Sequence, residues 1–554
     1  MATGPNGPNT QGGPPGTTPG KTPGGDATDQ PTSACQGVED TVGRSPLRRL
    51  TRFEYNNTVR DLVGDTSSPA KAFPSEEIGN GFGNDADAQN VSGLLAEQFS
   101  TVAQAIAERA TAAEVIAKLD ACATNLVADR EEACARTIVT KLATRAYRRP
   151  LVSGEADALV GLYTAARTKA PFAVSLSTAI EALLQTPDFL YRVELGAPDA
   201  AKPERLRPSG PEMATRLAYL FWGSPPDAVL DAAAASGELL TNAGVRKQAE
   251  RLLADPKARP VIRFFFDNLL PISSLSQLER DAMLYPTFNA SIGGYLREET
   301  QRLLEYEIFE GSGTWPGALT APYTFMNAPL AAFYGMSGVT GMDFTKVPVD
   351  TTRRLGVLTQ AGVMAGSTPS NQTNPVLRGS FVAQKLMCRP LALPTDPNIL
   401  AKVKPPDPYS GKTARDRYGA HSKDPVCVAC HQFMDPIGLT FENYDAVGAY
   451  RTQENGVTID ASGSLPGTDT QVPNAVELAR LIAASEDTQN CFALQWINYA
   501  YGRTLGDDQP ADACLKEQVA RTFRESGENV RQLLLNLTQT DAFLYLPSHA
   551  EGMP

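Results

Sequence analysis

Five consecutive residues carry the motif whose spacing points most directly to a chemistry. They read Cys427-Val428-Ala429-Cys430-His431, a C-x-x-C-H pattern. At this spacing two thiols add across the vinyl groups of one haem, and the adjacent histidine binds its iron. The motif therefore predicts one covalent haem c, attached through Cys427 and Cys430 with His431 as an iron ligand.

The same residues could serve two chemistries other than haem attachment. A zinc site would combine His421, Cys427, Cys430 and His431, but the adjacent ligands Cys430 and His431 are strained around one tetrahedral ion. A thioredoxin-like C-x-x-C redox pair requires a βαβ context, which the helical pattern of this chain does not provide. Haem attachment is the preferred interpretation.

The ligand on the other side of the iron would decide the function. A sixth protein ligand makes an electron-transfer centre, whereas an open position permits oxygen or peroxide chemistry. Only three histidines occur in the chain, and His421 is the other one near the motif, so it is a candidate metal ligand. A hydrogen-bonding role for His421 beside the haem is the alternative. Met434 is disfavoured because it follows His431 by three residues on the same side of the haem, and more distant methionines stay open: Met336, Met364 and Met387.

The elements that must position the motif are predicted to be helices. Apolar residues recur at helical spacing through most of the chain, for example from Leu47 to Leu62 with Gly64 as a C-terminal stop, from Leu95 to Leu119 and from Val376 to Leu386. Pro425 and Asp435-Pro436 frame the motif as a short turn followed by a helical piece. The fold class is therefore all-α, with little β structure beyond a small hairpin near residues 456–463.

Composition and charge exclude several classes of function. The net charge of −12 makes nucleic acid and anionic membranes poor partners, and no apolar run reaches the 18 or so residues of a bilayer span. Residues 1–34 hold Gly, Pro and Thr but almost no apolar residues, so we expect a disordered tether. The sequence contains no G-x-S-x-G motif, P-loop or dinucleotide-binding glycine motif, so hydrolase and nucleotide-binding functions lack support.

Cysteine usage predicts an oxidising compartment. The eight cysteines suggest two local staples, Cys122 with Cys134 and Cys491 with Cys514, which leaves Cys35 and Cys388 as a long-range pair. Because haem attachment and disulfide formation both follow export, we expect a periplasmic or cell-surface protein whose signal sequence is missing from the chain as given.

Several acidic and aromatic residues have expected roles outside the motif. Carboxylates spaced along one helix, Glu298, Glu299, Glu305 and Glu307, are interpreted as a solvated face. Three aspartates near the motif are candidates for proton transfer or for turns and caps: Asp424, Asp435 and Asp445. Trp222 and Trp315 are expected in the core.

The segment from His421 to Arg451 resembles the C-x-x-C-H region of the planctomycete-type cytochrome c proteins, an exported family that is also abundant in myxobacteria. Its parts are known only as planctomycete-specific domains or domains of unknown function. The resemblance extends along the chain in the family's order, through the stretches Leu47–Leu62, Tyr147–Pro150, Thr186–Tyr191, Tyr323–Asn327, Arg354–Thr359, Asn374–Gly379 and Tyr501–Arg503.

The resemblance implies five consecutive segments after the tether, a haem motif in the fourth of them, and export. We place the segments at 40–110, 120–200, 205–345, 350–455, which is the cytochrome c-like one, and 470–546. Arg451 falls on the family pattern and is a candidate partner for a haem propionate, with a local capping role as the alternative.

The function expected from these features is periplasmic or cell-surface redox chemistry, as an electron-transfer subunit or a haem oxidoreductase with an unknown redox partner protein. The non-enzymatic alternative is a surface scaffold or substrate-binding protein whose cytochrome-like segment is structural or degenerate. Whether the protein is an enzyme stays open, because the resemblance supplies no reaction.

Overall fold

A computed structural model describes residues 34–38, 41–79, 81–199, 205–391, 406–408, 410, 412–419, 425–465, 470–506 and 508–547. The predicted tether and His421 lie outside these residues, apart from Ala34 at the end of the tether. Within them the chain is mostly helical, which confirms the all-α fold class.

The first group of helices forms an N-terminal core. Its opening helix begins at a capping box, in which Thr51 accepts from the Glu54 backbone and Glu54 accepts from that of Thr51, and it ends at Gly64 with a left-handed φ of 77°. The predicted glycine stop is therefore confirmed. The helices are α1 (Arg52–Val63), α2 (Gly93–Ala110), α3 (Glu131–Tyr147), α4 (Glu155–Arg167), α5 (Phe172–Leu183) and α6 (Pro187–Leu190).

A second, larger core contains most of the later helices. Helix α7 joins the two cores, because its Tyr219 packs in the first while most of its other apolar residues pack in the second. The later helices are α7 (Gly210–Phe221), α8 (Ala228–Ala235), α9 (Asn242–Ala254), α10 (Ala258–Leu269), α11 (Ala290–Phe309), α12 (Trp315–Thr320), α13 (Ala328–Phe333), α14 (Ala361–Gly366), α15 (Pro375–Phe381), α16 (Ala414–Tyr418), α17 (Pro425–Leu439), α18 (Ala475–Ala484), α19 (Glu486–Tyr501), α20 (Pro510–Glu525), α21 (Val530–Leu537) and α22 (Asp541–Leu544).

Short antiparallel strands tie distant parts of the chain together. The pairs are β1 (Arg48–Arg49) with β2 (Tyr191–Arg192), β3 (Ala197–Pro198) and β11 (Leu546–Pro547) on either side of β4 (Arg205–Arg207), β5 (Tyr323–Met326) with β6 (Thr345–Pro348), β7 (Gln453–Glu454) with β8 (Val457–Thr458), and β9 (Gly463–Ser464) with β10 (Gln471–Val472). The described strands contain two to four residues each.

Some predicted boundaries are corrected by the structure. The helix expected over Leu95–Leu119 ends at Ala110, and the chain then forms only short 3₁₀ turns. The hairpin turns at Asn455-Gly456, where both φ angles are positive, so it lies slightly earlier than expected. Trp222 and Trp315 are in the core, as predicted.

The disulfides correct two of the three predicted cysteine pairs. Cys122 bonds to Cys134 as expected, but Cys35 bonds to Cys514 and Cys388 bonds to Cys491. The pair Cys491 with Cys514 was wrong because α19 and α20 pack antiparallel: Arg524, near the end of α20, bonds Asn490, near the start of α19. Cys514 is ten residues from Arg524, about 15 Å along a helix, so the two cysteines lie at opposite ends of the helix pair.

Within the described ranges, no helix combines the length and the apolar character that crossing a bilayer requires.

Candidate functional site

The C-x-x-C-H motif lies in the N-terminal half of α17. The helix begins at Pro425, a favourable first helical residue, and continues through Pro436 instead of forming the short turn-plus-helix piece expected from the sequence. Pro436 cannot donate to the residue four positions earlier, Gln432, but that residue is exposed, so water can take the place of the missing donor. The motif is therefore presented by a continuous helix.

Two glycines bring α17 into direct backbone contact with α15. A side chain on Gly379 of α15 would meet the carbonyl oxygen of Met434 at 1.9 Å, and one on Gly438 of α17 would meet the carbonyl oxygen of Pro375 at 1.7 Å. Gly379, near the end of α15, faces Met434, whereas Pro375, at the start of α15, faces Gly438 further along α17. The two helices therefore run antiparallel. Beyond Gly379 the chain forms a π-helical turn, Val382–Leu386, which also contacts α17.

The three motif side chains share one face of α17. Cys427, Cys430 and His431 are three and four positions apart, so their side chains lie on the same side of the helix. Each is half-buried. Towards the C-terminus the same stripe becomes buried, at Met434 and Asp435. The motif thus occupies the end of a stripe that anchors the helix in the core.

Cys427 and Cys430 differ from the other six cysteines. The six form three disulfides, whereas these two carry thiols. Thiols are the form that haem attachment requires, and a half-buried position leaves them within reach of a large reactant. Cys427 and Cys430 therefore fit the two covalent attachment points of a haem c site.

His431 is oriented by Asp435. The Nδ1 atom of His431 lies 2.9 Å from Oδ1 of Asp435, one helical turn further on. When Nδ1 carries the proton and donates to the carboxylate, Nε2 keeps the lone pair with which imidazole binds a metal. Asp435 is buried, and its Oδ2 has no hydrogen-bond partner among the described residues. The sequence analysis offers Asp435 as a proton-transfer residue or as a turn or cap residue. Its position four residues after His431 is the sequence feature that indicates the contact with the imidazole.

The residues that the sequence offers as a second iron ligand lie on several different elements. His421 and Asp424 lie outside the described residues. Met434 is buried on α17 itself, Met387 is buried at the end of the π-helical turn, and Met364 is buried on α14. In the described part of the chain, no three His, Cys, Asp or Glu side chains are grouped in a way that would hold a metal ion.

Arg451, the candidate propionate partner, belongs to a buried charge network. Its guanidinium lies 3.1 Å from the carboxylate of Glu442 and 3.3 Å from that of Glu454. Burial raises the pKa of Glu442 even though Arg378 and Arg451 are close to it. These ion pairs give Arg451 a local role, and its contact with a haem propionate stays a prediction.

Arg378 fixes the turn that follows α17, a role that sequence reasoning missed. From α15 its guanidinium donates to the carbonyl oxygens of Phe441 at 3.0 Å, Tyr444 at 2.8 Å and Asp445 at 2.6 Å. Asp445 in turn accepts from backbone N–H groups of its own turn, so it has the turn role. A single arginine in an apolar helix gives no sequence signal for such a role.

The expected solvated face on α11 is corrected. Glu299 and Glu307 are buried at 1% and 4% exposure, while Glu298 and Glu305 are only partly exposed and pair with arginines. Glu299 accepts hydrogen bonds from Thr324 and Tyr334, at 2.6 and 2.7 Å, and burial raises its pKa to about 7. Other elements pack around α11 and bury these carboxylates. The spacing of charges along the helix does not reveal those neighbours.

Comparison with known families gives five matches in consecutive order. The models match residues 48–112 (DUF1587), 134–194 (DUF1595), 209–336 (DUF1592), 354–454 (DUF1588) and 468–543 (DUF1585), and each is described as a protein of unknown function. The fourth, which contains the motif helix, is named PSCyt3. Neither a search of curated proteins nor a search of solved structures found a significant match. The five segments, in this order along nearly the whole described chain, show that the protein belongs to the planctomycete-type cytochrome c family with its planctomycete-specific domains.

Proposed function

We propose that this protein is an exported c-type haem protein that acts in periplasmic or cell-surface redox chemistry, as an electron-transfer subunit or a haem oxidoreductase. The observation that carries the proposal is the shared face of α17, where the thiols of Cys427 and Cys430 lie beside an oriented His431. The name PSCyt3 for the matching segment supports a cytochrome-like role.

The residues of this chain would have distinct tasks at a haem. Cys427 and Cys430 would hold the porphyrin edge through two thioethers, and His431 would offer Nε2 to the iron. A bound haem supplies one-electron chemistry by cycling between ferric and ferrous iron. Asp435 holds the imidazole through Nδ1, and the buried carboxylate makes the histidine a stronger electron donor.

The contacts of α17 suit a centre that must stay fixed during electron transfer. Backbone contact at Gly379 and Gly438 leaves no gap between the two helices. Arg378 then holds the turn after α17 through three carbonyl oxygens. The π-helical turn beside α17 adds support, because such irregular turns are frequent at functional sites.

The sixth ligand separates the two branches of this proposal. If His421 binds the iron, a His421→Ala variant will change from a six-coordinate low-spin spectrum to a high-spin or water-ligated one that binds carbon monoxide. If a methionine is the ligand, His421→Ala will stay low-spin, and Met387→Ala is the next variant to test. A high-spin unmutated protein that binds peroxide would favour the oxidoreductase branch.

The disulfides support the proposed location. Three disulfides within the described residues are typical of exported proteins. We propose the periplasm or the cell surface, with residues 1–34 as a tether, and a redox partner protein of unknown identity.

Covalent haem attachment is the experiment that tests the proposal. The full chain is produced with a haem-maturation system, and pyridine haemochrome spectra are recorded after denaturation. We expect one haem per chain, and none in the Cys427→Ser/Cys430→Ser variant. The Cys122→Ser/Cys134→Ser variant, which loses two cysteines elsewhere, should keep its haem. No covalent haem on the unmutated chain would contradict the proposal and favour the scaffold or substrate-binding alternative.

A further inference from the structure

A small cleft rich in arginine lies where the first and last matched segments of the chain meet. Its walls come from the chain just before and in β1, from α7, and from the region between the end of α19 and α22. Four arginines line it, although the protein as a whole is acidic: Arg44, Arg48, Arg216 and Arg503. Arg48 and Arg503 belong to two of the stretches that carry the family resemblance, and the haem proposal gives neither of them a task.

Three of the four arginines have a carboxylate partner. Arg216 lies 2.7 Å from Glu194, and Arg503 forms a two-pronged pair with Asp512 at 2.6 and 2.8 Å. Arg44 pairs with Asp87 in the same two-pronged way. The charges on these three walls are therefore already balanced.

Arg48 has no such partner among the described residues. Its Nη1 donates to the carbonyl oxygen of Ala500 at 2.8 Å, and no described carboxylate lies within ion-pair distance. The carboxylates whose charges favour the Arg48 cation are already paired, Glu194 with Arg216 at 2.7 Å and Glu54 with Arg192 at 3.7 Å. Among the residues that the structure describes, one positive charge in the cleft is thus left without a paired carboxylate.

The surroundings make that uncompensated charge costly. Burial, and next the like charge of Arg192, lower the pKa of Arg48 to about 9. An anion stabilises a buried guanidinium more than it stabilises one in water, because the attraction between opposite charges is screened less in the protein interior. Arg48 is still partly exposed, so an anion can reach it.

We propose that this cleft binds a small monovalent anion against Arg48, either a halide or the carboxylate end of a small organic acid. The interior volume of about 20 Å³ has room for one water-sized group, since about 10–15 Å³ holds one water. A halide or a single carboxylate oxygen meets that limit. One negative charge also matches the single uncompensated cation. This inference does not rest on the haem proposal, because no residue of α17 lines the cleft.

The test compares anion binding by the full chain and by an Arg48→Gln variant. Calorimetric titrations with sodium formate and with sodium chloride should show a saturable single site on the unmutated protein for at least one of the two anions. Arg48→Gln should weaken binding about tenfold or more, because it removes a charge-assisted contact. Arg136→Gln makes the same charge change on the exposed face of α3 and should bind as the unmutated protein does.

The two sources of the anion are separated by competition. If chloride displaces formate, the site takes any small anion; if formate binds and chloride does not compete, it is specific for carboxylate. Equal binding by the unmutated protein and Arg48→Gln would overturn the proposal. Should Arg48→Gln fail to fold, crystals of the unmutated protein decide, one soaked in bromide and read by anomalous scattering and another soaked in formate and read by difference density. Bromide or formate in the cleft supports the proposal, and binding of both only elsewhere refutes it.

Discussion

The α-carbon of Gly379 faces the carbonyl oxygen of Met434 so closely that a Cβ at position 379 would lie 1.9 Å from that oxygen. The obstacle is backbone on a second helix, which a rotamer change cannot move aside. Helix α15 and the motif helix α17 therefore pack at a distance that only glycine permits.

Replacing Gly379 with alanine should separate these two helices. We expect Gly379→Ala to lower the free energy of unfolding by about 1–3 kcal/mol or more, through overpacking. Gly161, on the exposed face of α4, has open space around its α-carbon, so Gly161→Ala should instead stabilise by about 0.5–1 kcal/mol. Urea denaturation measures both. Equal stability of the two variants would contradict the close contact.

Glu299 should make stability fall as pH rises. Its pKa in the folded protein is raised from 4.5 to about 7, so the folded state binds the proton more tightly than the unfolded state. The stabilisation is complete below about pH 4.5 and is lost as pH rises through 7, by about 3 kcal/mol in total. The difference in unfolding free energy between the unmutated protein and Glu299→Gln, followed by denaturation from pH 4 to 8, should therefore decrease with pH.

Glu305 on the same helix provides the control of opposite sign. Burial opposes ionisation there, but hydrogen bonds from Arg259 and Arg263 hold its pKa below the ordinary value. Its contribution should be present above pH 4.5 and lost as pH falls. If Glu299→Gln and Glu305→Gln showed the same trend with pH, the burial of Glu299 would be the wrong explanation.

The disulfide pairs can be mapped directly. Non-reducing digestion and mass spectrometry should find Cys35 linked to Cys514, Cys122 to Cys134 and Cys388 to Cys491, while Cys427 and Cys430 react with an alkylating reagent in haem-free protein. If disulfides stabilise by restricting the unfolded chain, losing the Cys388–Cys491 bond, whose residues are 103 positions apart, should lower the free energy of unfolding by about 4.7 kcal/mol. Losing the Cys122–Cys134 bond, whose residues are 12 positions apart, should lower it by about 3 kcal/mol. The order of the two losses, measured with paired Cys→Ser variants, tests that account.

Asp435 should influence the reduction potential of the proposed haem. Asp435→Asn keeps a side chain of nearly the same shape but removes the negative charge beside Nδ1 of His431, so ferric iron is stabilised less and the potential rises. Potentiometric titration measures the change. Asp460→Asn removes the same charge from a largely exposed site, where it pairs with Arg415, and should leave the potential nearly unchanged. An unaltered potential in Asp435→Asn would assign that residue a purely structural role.

Local features of the fold were accessible from the sequence because their causes are local. Helix α1 ends at Gly64 because glycine readily adopts the left-handed φ that a helix C-terminus requires. The bond from Cys122 to Cys134 closes only a short loop. The motif spacing fixes which side chains share a face of a helix, whatever surrounds that helix. Such features depend on residues close to one another in the chain.

The other two disulfides and the burial of Glu299 depend on distant parts of the chain. Cys514 bonds a residue 479 positions away, and which partner it takes depends on how α19 and α20 pack. Glu299 looks like a surface carboxylate until Thr324 and Tyr334 are brought to it. That Arg48 has no carboxylate partner among the described residues likewise becomes visible only when the charges of its neighbours are assigned to their own partners.

The bond between Cys35 and Cys514 also has a mechanical consequence. A pulling force applied to residues before Cys35 reaches α20 through a covalent bond, not only through the noncovalent contacts of the first helices. If residues 1–34 anchor the protein as proposed, the load passes directly into its last segment. Under tension the N-terminal helices are then bypassed, and reducing this one bond would redirect the force through α1.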